Sequence, residues 1–467
     1  MSNINHPIAQ LSVLIFFLLT PISQYDQASA QSTISANELD EILGDLSSEP
    51  LKVKEGVHEP SPQANTPRLQ IHGSLQEFVS IAPINHTSPA GFEVNGLQAV
   101  QTRLELLAAM KLTPTLNAVV SGWGFFDIAY GTDLHQYHTD SWFDQPAYDF
   151  ELDETYVSTK LSAAVDFSFG RQITRWGKAD LFRVNDIWHT DDNREVSLLD
   201  SWGTRQPILS SKLAHASGQS LLSLIIAHEF REEKPPVFGS DFYPYKFPLP
   251  SLEHDYSNTF IHSAGVEYKR SFPAIDVSIS AASFLKEYDY IGLTIDSLKR
   301  KIARVGIIGA GFEIPYAQWL FKSEIAYLTG LEYYSLNSPK DRFDILVGFD
   351  YLGFENTTLS FEVVNRHITD FTSALASLSN TPEKNTFLWG FRFSRFFLRN
   401  RLNATFFSLN GGIDFKHGSV QKLSFRYDFT DAYNLTFGVL LFAGGETFPT
   451  EEIGNNDRII LKFTYNF

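Results

Sequence analysis

One stretch of the sequence, from Gly170 to Glu195, is unlike the rest because basic and acidic residues follow each other closely along it. Side chains of this kind can form ion pairs, or they can line a narrow polar passage. Opposed charges across a narrow water column create a transverse electric field, and a ring of basic residues favours anions. The candidates are Arg171, Arg175, Lys178, Asp180, Arg183, Asp186, Asp191, Asp192, Arg194 and Glu195, with Arg205 just beyond them.

The rest of the sequence offers little for catalysis or for binding a metal. The absence of cysteine excludes disulfides and thiolate sites. His228-Glu229 begins like a zinc-protease helix, but it lacks the second histidine and lies on a predicted strand. Asp191 and Asp192 could bind calcium together with a nearby aspartate, although salt bridges are the commoner use of such carboxylates. There is no G-x-S-x-G motif and no phosphate-binding glycine loop. We therefore predict no enzymatic activity, no cofactor and no metal site.

Composition narrows the class of protein further. The chain has 467 residues, of which 14% are aromatic and only 19% charged, and its formal net charge is −17. This acidic balance argues against nucleic acid as a partner, since that would require a basic surface. A mean hydropathy of −0.13 excludes a polytopic helical membrane protein. It is compatible with a membrane barrel, because lumen-facing and lipid-facing residues cancel in the average.

The first 67 residues have a different texture from the remainder. An apolar run, Leu11–Ile22, is shorter than the roughly 20 residues that a membrane helix needs, and Ala28-Ser29-Ala30 follows it as a cleavage site. Residues 1–30 are therefore predicted to be a secretory signal peptide. Residues 31–67 combine a short helix-like pattern with a polar, proline-containing run, which predicts a periplasmic leader and linker.

From residue 68 onward, apolar and polar side chains alternate as they do in strands with two different faces. Leu423, Phe425 and Tyr427, for example, alternate with Ser424 and Arg426. The apolar face is rich in Phe, Trp and Tyr, and the opposite face carries charged and small residues. Aromatics near strand ends suit the interfacial girdles of a membrane barrel, and mixed charges suit a watery lumen.

Eighteen segments of this type can be assigned, and sixteen remains an alternative because 164–173, 207–215 and 402–412 are the weakest. Short connections alternate with long ones, as in barrels with short periplasmic turns and long outer loops. The predicted strands are 68–80, 96–112, 115–130, 150–162, 164–173, 207–215, 219–230, 258–269, 273–287, 301–313, 317–330, 341–352, 356–369, 385–397, 402–412, 419–429, 433–443 and 456–467.

The last strand ends on alternating aromatic residues, Phe463, Tyr465 and Phe467. A carboxyl-terminal aromatic strand resembles the terminal strand of bacterial outer-membrane β-barrels. In that family the aromatic terminus is the signal for the barrel-assembly machinery. The resemblance implies an antiparallel up-and-down transmembrane β-barrel over residues 68–467, located in the outer membrane among lipid and lipopolysaccharide.

A second resemblance lies in the charged stretch, whose opening Gly170-Arg171-Gln172-x-x-x-Trp176-Gly177 is followed by Asp191-Asp192-x-Arg194-Glu195. This looks like a motif of a porin-like barrel family of largely unknown function, distantly similar to alginate-export and phosphate-selective porins. It implies passive passage of small hydrophilic solutes or ions. A polymer-export barrel and a plugged structural or adhesive barrel are the alternatives. The likeness leaves the assembly open between a homotrimer and a monomer.

In general porins the third outer loop folds into the barrel, so residues 174–206 are expected to narrow the pore. The charges of this loop could set selectivity, or they could pair with one another and fix the loop to the wall. Arg171 falls in line with Phe167 and Phe169 on the lipid face unless a bulge at Gly170 turns it inward. The aromatic, proline-rich loop 235–248 could stack on sugar rings, or it could pack on itself as a cap.

Overall fold

The computed structural model describes residues 68–131, 147–196, 205–238, 240–246, 248, 262–287, 292–294, 297–299, 302–333, 338–376, 383–446, 450–452 and 454–467. The proposed signal peptide (1–30) and leader (31–67) lie outside these residues. So does the part of the expected constriction loop between 197 and 204.

Eighteen antiparallel strands form one sheet, as the alternating pattern predicts, and this settles the choice against sixteen. Numbered in chain order, β1 to β18 are Arg68–Thr87, Glu93–Lys111, Leu116–Asp127, Tyr148–Ser162, Val165–Gln172, Ile208–Ser217, Ser220–Ala227, Ser263–Phe272, Ile275–Glu287, Ile302–Tyr316, Trp319–Leu331, Lys340–Tyr351, Thr357–Ile368, Asn385–Phe397, Leu402–Gly411, Ser419–Asp428, Tyr433–Ala443 and Arg458–Asn466.

The sheet closes because the last strand pairs with the first. Ser74 to Ile81 of β1 lie antiparallel to Asn466 to Ile459 of β18. The terminal Phe467 continues this pairing through backbone hydrogen bonds with Gly73 in both directions, at 2.8 and 2.9 Å. A closed barrel leaves no free edge, so every strand finds its backbone partners within the sheet.

The two faces of the wall differ as the sequence alternation requires. Large apolar side chains point outward and are exposed, including Phe150 at 81% and Ile308 at 65%. The inner rows carry polar and charged residues that are almost fully buried, such as Glu324, Asp344 and Glu362. An apolar outer band and a polar interior are the reverse of a soluble fold and suit a barrel surrounded by lipid.

The connections separate into two ends of the barrel. The short turns 112–115, 163–164, 218–219, 273–274, 317–318, 352–356, 398–401 and 429–432 lie at the end where Phe467 stops, which we call the periplasmic end because the resemblance of the terminal strand implies that orientation. The opposite end carries the longer loops, with the four-residue helices Ile128–Gly131 and Ser373–Ala376 and the 3-10 turn Thr450–Glu452. None of the described helices has the length and apolar character needed to cross a membrane.

Several of the predicted strand boundaries are wrong. The first outer connection is not the long loop 81–95, because β1 and β2 continue to Thr87 and from Glu93 and leave only residues 88–92 between them. The segments 270–272 and 314–316 are not turns but the ends of β8 and β10. Pro315 pairs with Leu320, next to the final pair of the hairpin, Tyr316 with Trp319.

Candidate functional site

Loop 3, which we define as residues 173–207 between β5 and β6, folds into the barrel instead of standing above it. Trp176 and Trp188 are each 2% exposed and pack edge to face, with ring centroids 4.9 Å apart. They lie against Ile208, Ile225 and Ala227 on the inner wall. A Cβ atom at Gly265 would come within 2.7 Å of the Trp188 ring, so glycine is what lets the loop approach β8.

Two carboxylates of the inner wall hold the backbone of loop 3. Glu324 on β11 accepts hydrogen bonds from the N–H groups of Lys178, Ala179 and Asn185. Glu362 on β13 accepts from Asp180 at 2.6 Å, Leu181 at 2.9 Å and Phe182 at 3.2 Å. Both carboxylates are 1% exposed. The N–H donors replace the water that a buried carboxylate would otherwise need.

Side chains of loop 3 add ion pairs to the same wall. Lys178 Nζ lies 2.6 Å from Glu313 of β10. Asp180 pairs with Lys322 of β11, and Lys322 also contacts Asp350 of β12 at 2.6 Å. Glu313, Lys322 and Asp350 all lie within four residues of a periplasmic turn. Loop 3 therefore runs from the outer end of β5 deep into the lumen.

A buried polar cluster forms where loop 3 meets its own returning end. Asp186 contacts His189 at 2.9 Å and Arg205 at 2.8 Å, and Arg183 bonds to Asp191 at 2.6 Å. Burial by itself would raise the pKa of Asp186, but His189, Arg205 and Arg183 outweigh it and lower that pKa to about 2. Burial lowers the pKa of Arg205, and the nearby charges of Arg183 and Arg175 act in the same direction.

The end of the charged stretch turns toward the opposite side of the lumen. Arg194 bridges Asp192 at 2.6 Å and Asp149 of β4 at 2.8 Å. These contacts and the charge of Lys234 outweigh burial and lower the pKa of Asp192. The Arg194 guanidinium also lies 5.9 Å from the ring centroid of Trp123 on β3, a cation–π distance. Glu195 lies near Asp127 at the end of the same strand.

Arg171 does not join this group. The pairing of β5 with β4 and β6 has no register shift at Gly170, so the bulge that would have turned Arg171 inward is absent. Arg171 remains in the outer row with Phe167 and Phe169. There its guanidinium forms a two-pronged pair with Glu229, at 3.1 and 3.0 Å.

A second loop, residues 228–262 between β7 and β8, also enters the interior with its described residues 240–246. Phe242 packs on Phe442 with centroids 5.4 Å apart and lies in a core cluster with Phe78 and Ile460, on the wall formed by β17, β18 and β1. Asp241 pairs with the fully buried Arg458 of β18. Tyr243 packs edge to face on Phe238 and Tyr245, so the aromatic residues of this loop pack on one another.

The wall from β14 to β18 is basic. Inward-facing positions of β14 to β18 hold five basic residues, Arg392, Lys422, Arg426, Arg458 and Lys462, and one acidic residue, Asp428. Arg458 is used by Asp241, and Arg426 contacts Asp428 at 3.3 Å. We call Arg392, Lys422, Arg426 and Lys462 the basic arc. They alternate with uncharged residues around the wall, since Arg392 and Lys422 both pair with Phe407.

The position of loop 3 could be predicted from the sequence, but the wall residues that hold it could not. Lys178, Asp180, Arg183, Asp186, Asp191, Asp192 and Arg194 all have partners of opposite charge, so the alternative that the charges fix the loop to the wall describes their geometry. Glu324, Glu362 and the basic arc were missed as a group. The only feature of the sequence that indicated them was a charged residue in the polar row of a predicted strand, as at Arg392, Lys422 and Arg426.

No protein-family model matches the chain, and no curated protein matches its sequence. Among solved structures, a BenF-like porin from Pseudomonas fluorescens Pf-5 is 10% identical, covers 85% of this chain and 98% of its own, and gives a TM-score of 0.50. OccAB4 of Acinetobacter baumannii (10% identity, 87% and 100% coverage) and OpdK of Pseudomonas aeruginosa (9%, 86% and 99%) give 0.49 and 0.48.

At 10% identity the likeness to the BenF-like porin concerns the fold, and the two lower scores add nothing to it. The chain's own geometry agrees, since an even number of antiparallel strands closes into a barrel with an apolar outer band, the form in which outer-membrane proteins span their bilayer. The chain is an outer-membrane β-barrel with the fold of a bacterial porin.

Proposed function

We propose that the barrel is a porin-like channel for the passive passage of small hydrophilic solutes or ions, with a preference for anions. The observation that carries this proposal is the division of the lumen. Lys178 and Asp180 of loop 3 form ion pairs with the wall at β10 and β11, and the other charges of the loop pair within it or with Asp149 of β4. The inward-facing rows of β14 to β18, which include the basic arc, carry five basic residues and one acidic residue.

An arc of like charges on one wall has a physical consequence for permeation. Neighbouring strands lie about 4.8 Å apart, so basic residues on alternate strands are separated by about 10 Å around the wall. A chain of fixed positive charges in a narrow, low-dielectric passage raises the local concentration of anions and lowers that of cations. In this proposal loop 3 sets the width of the passage, and the basic arc sets its preference for charge.

The test is ion selectivity of the refolded protein in a planar bilayer under a salt gradient. Arg392→Ala and Lys462→Ala should each shift the reversal potential toward that of a neutral pore. Arg270→Ala is the matched control. Arg270 lies in the outer row, with its guanidinium 4.9 Å from the centroid of the Phe272 ring, so this substitution removes one positive charge without changing the lumen. An anion preference that survives both lumen substitutions would contradict the assignment of the basic arc.

A plugged barrel that conducts nothing is the second candidate, and loop 228–262 favours it. Phe242 and Tyr243 are 5% and 2% exposed, and Phe242 packs in the interior against the wall formed by β17, β18 and β1. The same bilayer experiment separates the two functions. A folded, heat-modifiable barrel without open-channel steps would support the plugged form and refute the channel.

Several finer expectations from the sequence belong to the proposal as well. They are the absence of enzymatic activity and the likeness of the Gly170–Gly177 motif to that of a porin-like family. They also include the division into signal peptide, leader and barrel, recognition of Phe463, Tyr465 and Phe467 by the assembly machinery, contacts with lipopolysaccharide, and assembly as a homotrimer. An export role, in which residues 31–67 contact a partner, is the alternative to passive passage.

A further inference from the structure

One basic residue of the lumen wall is already bound by a carboxylate of the chain itself. Arg458 is the first residue of β18, at its outer end, and its side chain is fully buried. Asp241 of loop 228–262 forms an ion pair with the guanidinium. The ring of the next residue, Phe242, covers the guanidinium, with its centroid 4.8 Å from Cζ of Arg458. Two consecutive residues of the loop therefore shield this cation from the lumen.

Arg458 lies in the same row of the wall as two members of the basic arc. Directly paired residues connect Arg392, Lys422 and Arg458, with Phe407 between the first two and Leu440 between the last two. Counted from the outer end of its strand, Arg458 is the first residue, Lys422 the fourth and Arg392 the eighth. An anion that enters from the outside along this row would therefore meet the position of Arg458 first.

The tip of loop 228–262 is attached to the wall mainly through side chains. Apart from the ion pair, Asn456 donates a hydrogen bond to the carbonyl oxygen of Asp241 at 2.8 Å. The N–H groups of Ser240, Phe242 and Tyr243 donate to acceptors within the loop itself. Loop 3 is different, because Glu324 and Glu362 of the wall accept its backbone N–H groups. The described tip can therefore leave the wall with these three N–H groups still bonded.

The ion pair is suited to exchange with dissolved ions. A buried ion pair adds little net stability, because the attraction between its charges is offset by the water that both of them have lost. When the pair separates, Asp241 can be hydrated in the lumen, and Arg458 can bind another anion in its place. A guanidinium offers several N–H donors in one plane, which suits a small carboxylate or a similar anion.

We propose that Arg458 is an anion-binding subsite at the outer mouth of the channel and that Asp241 is its resting ligand. A small anion that enters along the basic arc displaces the Asp241 carboxylate and, with it, the tip of loop 228–262. A neutral solute has no group that competes for the guanidinium, so the same contact discriminates by charge. This inference rests on the proposed function, since it assigns the entry point of the same anion path.

Asp241→Asn tests the resting ligand, because it keeps the shape of the side chain and removes its charge. Hydrogen–deuterium exchange of residues 240–246 should become about ten-fold faster or more, as expected for the loss of one bond to a charged group. In planar bilayers the open-channel conductance should rise. The ratio of anion to cation permeability should increase about two-fold, the effect of one unit charge about 10 Å from the permeating ion in salt solution.

Two further variants separate the subsite from a general effect of charge. Arg458→Gln should loosen residues 240–246 in the same way but should lower the permeability ratio, because it removes the cation itself. Asp370→Asn is the matched control, since Asp370 pairs with Lys340 at 3.1 Å at the outer end of β12. It removes the same charge on another part of the wall and should leave both the exchange of residues 240–246 and the conductance unchanged.

The wild type provides a test that needs no variant. Acetate carries the same group as the Asp241 side chain, so it should accelerate exchange of residues 240–246 and leave residues 178–186 of loop 3 unaffected. Acceleration of neither segment, or of both alike, would overturn the proposal, as would unchanged exchange of 240–246 in Asp241→Asn. These exchange measurements do not require an open channel. A barrel without conductance would therefore refute the channel, while the exchange data would still decide whether Arg458 binds anions.

Discussion

Replacing Glu362 by glutamine is expected to loosen loop 3 while leaving the barrel wall intact. Glu362 accepts hydrogen bonds from three successive N–H groups, those of Asp180, Leu181 and Phe182. Glutamine has nearly the same shape, but one carboxylate oxygen becomes an NH2 group. At least one of the three N–H donors must then face another donor, and the remaining hydrogen bonds lose the negative charge that strengthened them.

The size of the effect follows from those three bonds. Hydrogen bonds to a charged group contribute about 1.5–3 kcal/mol each, and neutral ones about 0.5–1.5 kcal/mol. Losing one bond and weakening the other two lowers the free energy that holds this part of loop 3 by about 2–4 kcal/mol, after allowance for water entering the lumen. At 1.4 kcal/mol for each factor of ten, local opening becomes about 30 to 1,000 times more frequent.

Hydrogen–deuterium exchange of the peptide around residues 178–186 measures this opening directly. Glu362→Gln should accelerate exchange there, and Glu324→Gln should do the same at Lys178, Ala179 and Asn185. Glu355→Gln, in the exposed turn 352–356, is the control and should leave loop 3 unchanged. Unaltered protection of loop 3 in both buried variants would refute the view that these carboxylates hold it.

Two other predictions follow from the wall and from the buried cluster. Phe425→Arg should make membrane insertion less favourable by about 2–4 kcal/mol because the outer row meets lipid. Ser424→Arg should be tolerated because its row faces the lumen. Equal refolding yields of the two variants in liposomes would contradict the assignment of the two faces. The pKa of Asp186 is lowered from an ordinary 3.8 to about 2, which contributes about 2.5 kcal/mol to the free energy of unfolding. This stabilisation is present above pH 4 and is lost as the pH falls toward 2. The fluorescence of Trp176 and Trp188 should therefore change between pH 4 and pH 2 in the wild type, and it should depend less on pH in Asp186→Asn. Identical fluorescence titrations of the two proteins would show that Asp186 does not contribute this stability.

The barrel could be predicted from the sequence because the alternation of apolar and polar residues within a strand is enough to identify its two faces. Leu423, Phe425 and Tyr427 alternate with Ser424 and Arg426 without reference to any other strand, and all five residues pair in unbroken register with β15. It also placed Arg171 in the outer row, and the structure keeps it there. Strand ends were less certain, because the alternation of β1 and β2 continues beyond the point where polar residues first suggest a loop.

The interior of the barrel could not be predicted in the same way. Whether a carboxylate such as Glu362 faces open water or the backbone of a loop depends on residues 180 to 182 positions earlier in the chain. The charges of loop 3 were recognised from their density, but their partners Glu313, Lys322 and Asp149 are scattered over three strands. No local pattern tells which of two charged groups will meet once the wall has closed.

The anchoring of loop 3 also constrains the order in which the protein forms. Asp180 and its partner Glu362 are separated by 182 residues, and Lys178 and Glu324 by 146. Contacts between residues so distant in the chain form late, because a long segment must first be brought into place. The loop therefore seats only after β11 and β13 have joined the sheet, and a chain that stalls before β13 would leave residues 180–182 without the acceptor that shields them from proteases.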